Sequence, residues 1–131
     1  MFKITPLQSE DEIRECARAC GATEKPGYFA YAMRDLTDLS LMGFAQFDIL
    51  GDDAVLADLK PVPSLDDFEA MFILGRQTLN FMEKCGAERV SASKDAAEIV
   101  LLKAIGFKED DDKIYKMNIK GLFDGHCSSC K

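Results

Sequence analysis

Apolar and polar positions recur along the chain with two different periods, and these periods predict strands and helices. Residues 39–50, LSLMGFAQFDIL, alternate between two faces, which puts Ala45, Phe47 and Ile49 on one side and Phe44 on the other. A Gly-Asp-Asp turn at residues 51–53 then leads back into AVLADLKPV. This pattern predicts a β-hairpin in the middle of the chain.

Three segments have the start and stop signals of helices. The first, SEDEIRECARACG, begins with Ser9 as its N-cap and ends at Gly21. The second is long: from Ser64, its expected N-cap, apolar residues recur every three or four positions as far as Gly86. The third, AAEIVLLKAIG, ends at Gly106.

Four further apolar runs read as strands: FKIT, YFAYAM, AERVSAS and KIYKMNI. The predicted order is therefore strand, helix, three strands that include the hairpin, long helix, strand, helix and strand. Such an order implies an α/β fold in which one twisted mixed sheet, with the hairpin at its centre, carries helices on both faces.

Composition limits the class of protein. With 131 residues, of which 47% are hydrophobic and 30% charged, the chain matches one globular domain. We expect this domain to span residues 1–120, followed by a glycine- and cysteine-rich tail at 121–131. The net charge of -7 disfavours a nucleic-acid partner because phosphates repel it. No apolar run is long enough to span a membrane, so we expect a cytoplasmic protein; its oligomeric state stays open, with a dimer as one option.

Cysteines form two small groups. Cys16 and Cys20 lie one helical turn apart, and they read equally well as small core residues. In the tail, His126, Cys127 and Cys130 form an H-C-x-x-C cluster whose residue types suit zinc. The alternative is a tail with free thiols, which we favour because a single C-x-x-C at a chain end is weak support for a metal site.

Three segments together resemble the GCN5-related N-acetyltransferase (GNAT) family: MGFAQFDILGDDAVLADLKPVP, then CGAERV after the long helix, then IVLLKAIGFKEDDDKIYKMNI. The resemblance covers nearly the whole chain, and the Gly-Phe pair after a leucine-rich helix is its most recognisable part. It implies a fold in which acetyl-CoA lies between two central parallel strands. It also implies transfer of an acetyl group to the amine of a small molecule or peptide.

In that family, a glycine-rich loop before the long helix holds the CoA pyrophosphate with its backbone amides. This chain has Asp66, Asp67 and Glu69 there, and carboxylates would repel a phosphate. If Gly75 takes the last small position of the loop, Ile73 stands where an earlier glycine belongs. The alternative is that this segment only caps a packed helix.

Cofactor contacts are predicted all the same at the end of the hairpin and along the long helix. The candidates are Lys60, Val62, Gly75 and Arg76. A glycine inside a helix costs roughly 0.5–1 kcal/mol relative to alanine, so Gly75 indicates that a strand or a ligand approaches closely.

The sequence indicates catalytic residues less clearly than it indicates cofactor contacts. The family's tyrosine, which protonates the leaving thiolate, aligns with Leu102. A general base has to reach the amine directly or through water. The candidate bases are Asp48, Asp58 and Glu69, and the candidate acids are Tyr28 and Tyr31. Each carboxylate also reads as a solvated surface group, and each tyrosine as sheet packing.

Two functions therefore compete at this point. One is an acetyl-CoA-dependent N-acyltransferase in which most of the catalysis comes from positioning. The other is a non-catalytic binding or interaction module that keeps the fold but has lost the CoA site, because a fold does not by itself carry an activity. A metal- or redox-responsive domain built on the tail is a third, less favoured reading.

Overall fold

The structure, a computed structural model, describes residues 1–110 and 113–123. The strands in these residues are β1 (Phe2–Pro6), β2 (Phe29–Asp35), β3 (Leu41–Leu50), β4 (Asp53–Pro61), β5 (Arg89–Ala92), β6 (Lys108–Glu109) and β7 (Tyr115–Asn118). The helices are α1 (Glu10–Ala19), α2 (Phe68–Lys84) and α3 (Ile99–Ile105). None of the helices in the described residues is long and apolar enough to cross a membrane.

All seven strands join one sheet in the order β1-β2-β3-β4-β5-β7-β6. Neighbours pair antiparallel except β4 and β5, which are parallel and are connected by α2. One core cluster joins α1 to one face through Cys16 and Phe44, whereas α2 and α3 share the other cluster with residues such as Leu59. The predicted α/β class, the central hairpin and the helices on both faces are thus confirmed.

The predicted register of the hairpin is also confirmed. Ala45 and Phe47 are buried in the cluster with α2, Ile49 packs against it, and Phe44 belongs to the cluster with α1. A bulge lies in the partner strand, because Gln46 pairs with Asp58 while the next residue, Phe47, pairs with Leu56.

Several predicted boundaries are wrong. Helix α2 begins at Phe68 rather than after Ser64, because the chain first makes a turn in which the Leu65 N–H donates to the Val62 carbonyl. Its N-cap is Asp67, whose carboxylate accepts the Ala70 N–H.

At the C-terminal side, α3 begins only at Ile99; the last predicted strand, KIYKMNI, contains β7, and the sequence pattern missed β6 before it. Strand β6 has just two residues, both exposed, so it is too short to produce an alternating pattern.

Candidate functional site

The two parallel strands pair over only part of their length. Residues Asp53–Leu56 of β4 pair with Arg89–Ala92 of β5, and there β5 ends. Strand β4 passes through the bulge and continues to Pro61, paired only with β3 on its other side. A cleft therefore opens beside β4 at the carboxyl end of the parallel pair, which is where ligands commonly bind in α/β sheets.

A groove of about 420 Å³ lies at this cleft, between the end of β4 and the starts of α2 and α3. Its size is in the range of small-molecule sites, about 300–1,000 Å³. The apolar lining residues are Leu59, Pro61, Leu65, Phe68, Met71, Ala97 and Leu101. The polar ones are Lys60, Asp66, Asp67 and Glu98. The groove is thus apolar inside and mainly acidic at its edge.

A second groove, of about 670 Å³, lies at the opposite end of the parallel pair. Two of its charged side chains are paired with carboxylates: Arg89 with Asp53 at 2.8 Å, and Lys116 with Asp110 at 2.8 Å, while Lys108 also lines it. Because β4 and β5 are paired at this end and separate at the other, we place the candidate site at the smaller groove.

The backbone of β4 offers few hydrogen-bond donors to the cleft. Lys60 pairs with Phe44 in β3, and the Val62 N–H donates to the Met42 carbonyl, so both face β3. Backbone groups alternate along a strand, which turns Leu59 and Pro61 toward the cleft. Proline has no N–H, and the Leu59 N–H already donates to the Ala96 carbonyl over 2.7 Å.

The N-terminal end of α2 is capped by a carboxylate of the protein itself. One oxygen of Asp67 accepts the Ala70 N–H over 3.0 Å, and the Asp66 side chain stands beside it at the groove. The amides that a phosphate would use therefore face two carboxylates. Glu69 is exposed and does not line the groove. The apolar interior fits the pantetheine arm of CoA, but this edge does not fit the diphosphate.

Asp58 belongs to a buried polar network on the α1 side of the sheet. Its carboxylate accepts a hydrogen bond from Gln46 Nε2 at 2.9 Å and lies 3.1 Å from Lys60 Nζ. The side chain of Gln46, 0% exposed, also accepts the Lys25 N–H and donates to the Thr23 carbonyl. The structure thus brings together two predicted residues, Asp58 and Lys60, of which only Lys60 lines the groove. Gln46 was missed, although an amide in the run FAQFDIL is a visible departure from apolar alternation.

Tyr31 lies in an aromatic cluster away from the groove lining. Its ring stacks on Phe47 at 5.7 Å between centroids and meets Phe81 edge-on at 5.9 Å. Burial raises the pKa of its phenol, so the hydroxyl keeps its proton to higher pH.

The remaining predicted cofactor residues also lie outside the groove lining. Gly75 faces the side chains of Ile105 and Leu59, and Arg76 sits over the Phe123 ring at 5.1 Å. Val62 follows the end of β4 and is half-buried. Of the four, only Lys60 lines the groove.

No group of three or more histidine, cysteine or acidic side chains suited to a metal occurs within residues 1–110 and 113–123. The cluster predicted at His126, Cys127 and Cys130 lies outside the described residues. Cys16 and Cys20 are buried with Phe44 in the core, in line with the core reading of these two thiols.

A scan against protein-family models and a search of curated proteins each find no match. Solved structures do match. The ribosomal-protein-S18-alanine N-acetyltransferase from Escherichia coli has a TM-score of 0.70 at 17% identity, covering 92% of this chain and 95% of that one. A GNAT-family N-acetyltransferase from E. coli in complex with CoA has a TM-score of 0.72 at 11% identity, covering 95% and 85%. A GNAT-family acetyltransferase from Brucella melitensis with acetyl-CoA has 0.68 at 15%, covering 90% and 88%. At such identities the likeness concerns the fold.

Proposed function

We propose that this chain, which has the fold of the GCN5-related N-acetyltransferases, is an N-acyltransferase that moves an acetyl group from acetyl-CoA to an amine. One observation carries the proposal: β4 separates from β5 beside an apolar groove, with the buried carboxylate of Asp58 on the same stretch of β4. The groove supplies an apolar slot for a thioester arm, and Asp58 supplies a carboxylate on the other face of β4, the α1 side of the sheet.

The chemistry that the donor supplies is a thioester carbonyl open to attack by an amine. As the amine nitrogen bonds to that carbon, the carbon–sulfur bond breaks and the thiolate leaves. The Asp58 carboxylate takes the proton that the amine releases, and Gln46 holds the carboxylate in place through its hydrogen bond. Glu69 and Tyr31 remain predicted catalytic residues, and Val62, Gly75 and Arg76 remain predicted cofactor contacts.

The acceptor that we propose is the amine of a small molecule or a peptide in the cytoplasm. One structure of similar fold is, by its name, an N-acetyltransferase for an alanine of ribosomal protein S18, which supports a peptide amine. The division into a domain at 1–120 and a tail at 121–131 remains a prediction, and the tail takes no part in this proposal.

A second candidate function is a non-catalytic binding module. It is favoured by the edge of the groove, where Asp67 caps α2 with its own carboxylate and Pro61 lacks a donor. Under this alternative the fold is retained, but CoA does not bind.

Calorimetry separates the two candidates. Acetyl-CoA is titrated into the purified protein at low and at moderate salt, and heat of binding is expected if the enzyme proposal holds. The absence of heat at millimolar ligand removes that proposal and leaves the binding module.

A variant with two fewer negative charges makes the same experiment more discriminating. Replacing Asp66 and Asp67 by asparagine removes two charges that oppose a diphosphate, each worth on the order of 1 kcal/mol, so acetyl-CoA should bind several-fold more tightly at low ionic strength. Glu69→Gln is the matched control, because Glu69 lies in the same helical turn but not in the groove lining. If the binding module is correct, none of these proteins takes up acetyl-CoA.

A further inference from the structure

The connection from β5 to α3, residues 93–98, enters the space beside β4. Ser93 is exposed, whereas Ala96 and Ala97 are buried, with 0% and 6% exposure. The Ala96 N–H donates to the Ser93 carbonyl over 3.0 Å, which closes a tight turn. That turn directs the Ala96 carbonyl to the Leu59 N–H, 2.7 Å away. The connection is thus fixed to β4 in the part of the strand that β5 does not pair.

Between Leu59 and Pro61, the Leu59 N–H is the one backbone donor that β4 turns toward the cleft, because Lys60 faces β3 and proline has no N–H. A ligand that lies along β4 and presents a carbonyl needs this donor. In the structure the Ala96 carbonyl occupies this donor. A thioester ligand and the connection therefore compete for the same N–H.

We infer that residues 93–98 form a latch, in which the Ala96 carbonyl occupies the Leu59 N–H and releases it when a thioester ligand binds; the open form is the one in which this hydrogen bond is broken. This inference rests on the proposed function, because the ligand is the acyl donor of that reaction. The latch lowers the apparent affinity for the thioester ligand, since only the open fraction of the protein binds that ligand. Loosening the latch should raise that affinity.

The test uses S-acetylpantetheine, which keeps the thioester arm but lacks the diphosphate that Asp66 and Asp67 oppose. Ala96→Gly gives the turn more backbone freedom and so favours the open form. Calorimetry should show this variant binding about two- to fivefold more tightly than the parent, because glycine keeps the carbonyl but its added backbone freedom favours the open form. Ala87→Gly is the matched control: Ala87 is equally buried, but it follows the end of α2 and does not line the groove. It should leave the affinity unchanged.

A second measurement does not depend on a variant. In parent protein labelled with ¹³C at alanine carbonyls and ¹⁵N at leucine, the Ala96 carbonyl and Leu59 amide resonances should both shift on addition of S-acetylpantetheine. Equal affinities for parent and Ala96→Gly, or an Ala96 resonance that does not move on binding, overturn the latch while thioester binding stands. If none of the three proteins binds, the proposed function fails and the latch falls with it. If Ala96→Gly does not fold, the parent resonance decides.

Discussion

Gly75 leaves room for two side chains, one from α3 and one from β4. A Cβ at this position would lie 2.5 Å from Ile105 Cδ1 and 2.9 Å from Leu59 Cδ2. We expect Gly75→Leu to lower the free energy of unfolding in urea by about 1–3 kcal/mol. Overpacking outweighs the gain in helix propensity, which is at most about 1 kcal/mol.

A double variant checks the cause of that loss. Valine lacks Cδ1, so Ile105→Val removes the atom that Gly75→Ala would meet first. The two changes together should cost less than the sum of their separate effects. Additive costs, or a Gly75→Leu protein that is as stable as the parent, would show that this contact is not the reason for the glycine.

Cys20 gives the protein a pH-dependent stability. Burial raises the pKa of its thiol to about 12, and the neighbouring Cys16 adds to this, against an ordinary value of 9.0. The folded protein therefore keeps a proton that the unfolded chain loses, so this contribution is complete below pH 9 and is lost as the pH rises toward about 12. The loss is at most about 1.4 kcal/mol per pH unit.

The melting temperature should be measured with a reductant present, between about pH 8 and pH 11, a range that includes the ordinary pKa of a thiol. Cys20→Ala should show a shallower decline than the parent over the alkaline part of that range. Some decline should remain, because the pKa of Tyr31 is also raised by burial. A parent and a Cys20→Ala variant with parallel curves would contradict the assignment to this thiol.

At the scale of elements, the start of α2 depends on a side chain that the sequence pattern did not single out as its cap. Asp67 accepts the Ala70 N–H, whereas Ser64 is exposed and precedes the helix. We expect Asp67→Ala to lower the free energy of unfolding by about 0.5–2 kcal/mol. Ser64→Ala is the control and should change it by less than about 0.5 kcal/mol. The reverse order of the two effects would restore Ser64 as the cap.

At the scale of the whole molecule, Gln46 connects three parts of the chain. Its amide reaches the Thr23 carbonyl and the Lys25 N–H in the segment after α1, and Asp58 in β4. Gln46→Leu removes all three hydrogen bonds, at about 0.5–1.5 kcal/mol for each neutral one and more for the bond to the Asp58 carboxylate, which keeps Lys60 as its other partner. We therefore expect a total loss of at least about 2 kcal/mol and faster proteolysis within residues 21–28.

Thr78→Val is a suitable control for that experiment. Thr78 is also 0% exposed, but its hydroxyl donates only to the Leu74 carbonyl within the same helix. Its replacement should cost less than about 1 kcal/mol and should not affect the segment after α1. Equal losses for the two variants would mean that Gln46 acts only as a buried polar group and not as a connection.

The sequence by itself determined the features that depend on residues close together in the chain. Alternation placed Ala45 and Phe47 on one face, and Ser9 and Gly21 marked the ends of α1. The signal was weaker where several polar residues competed for one role, as Ser64 and Asp67 did at the start of α2. Short-range patterns rank such candidates poorly because the path of the preceding turn decides which residue reaches the helix.

Only the tertiary structure decided how the candidate site is assembled. The bulge in β4, the end of its pairing with β5, the Gln46–Asp58 bond and the Ala96–Leu59 bond all join residues far apart in sequence. Their alignment depends on strand register and on the packing of helices, which local patterns do not specify. The sequence therefore named Asp58 and Lys60 as candidates, and the fold added Gln46 as a partner of Asp58 and the Ala96 carbonyl as the acceptor for the Leu59 N–H.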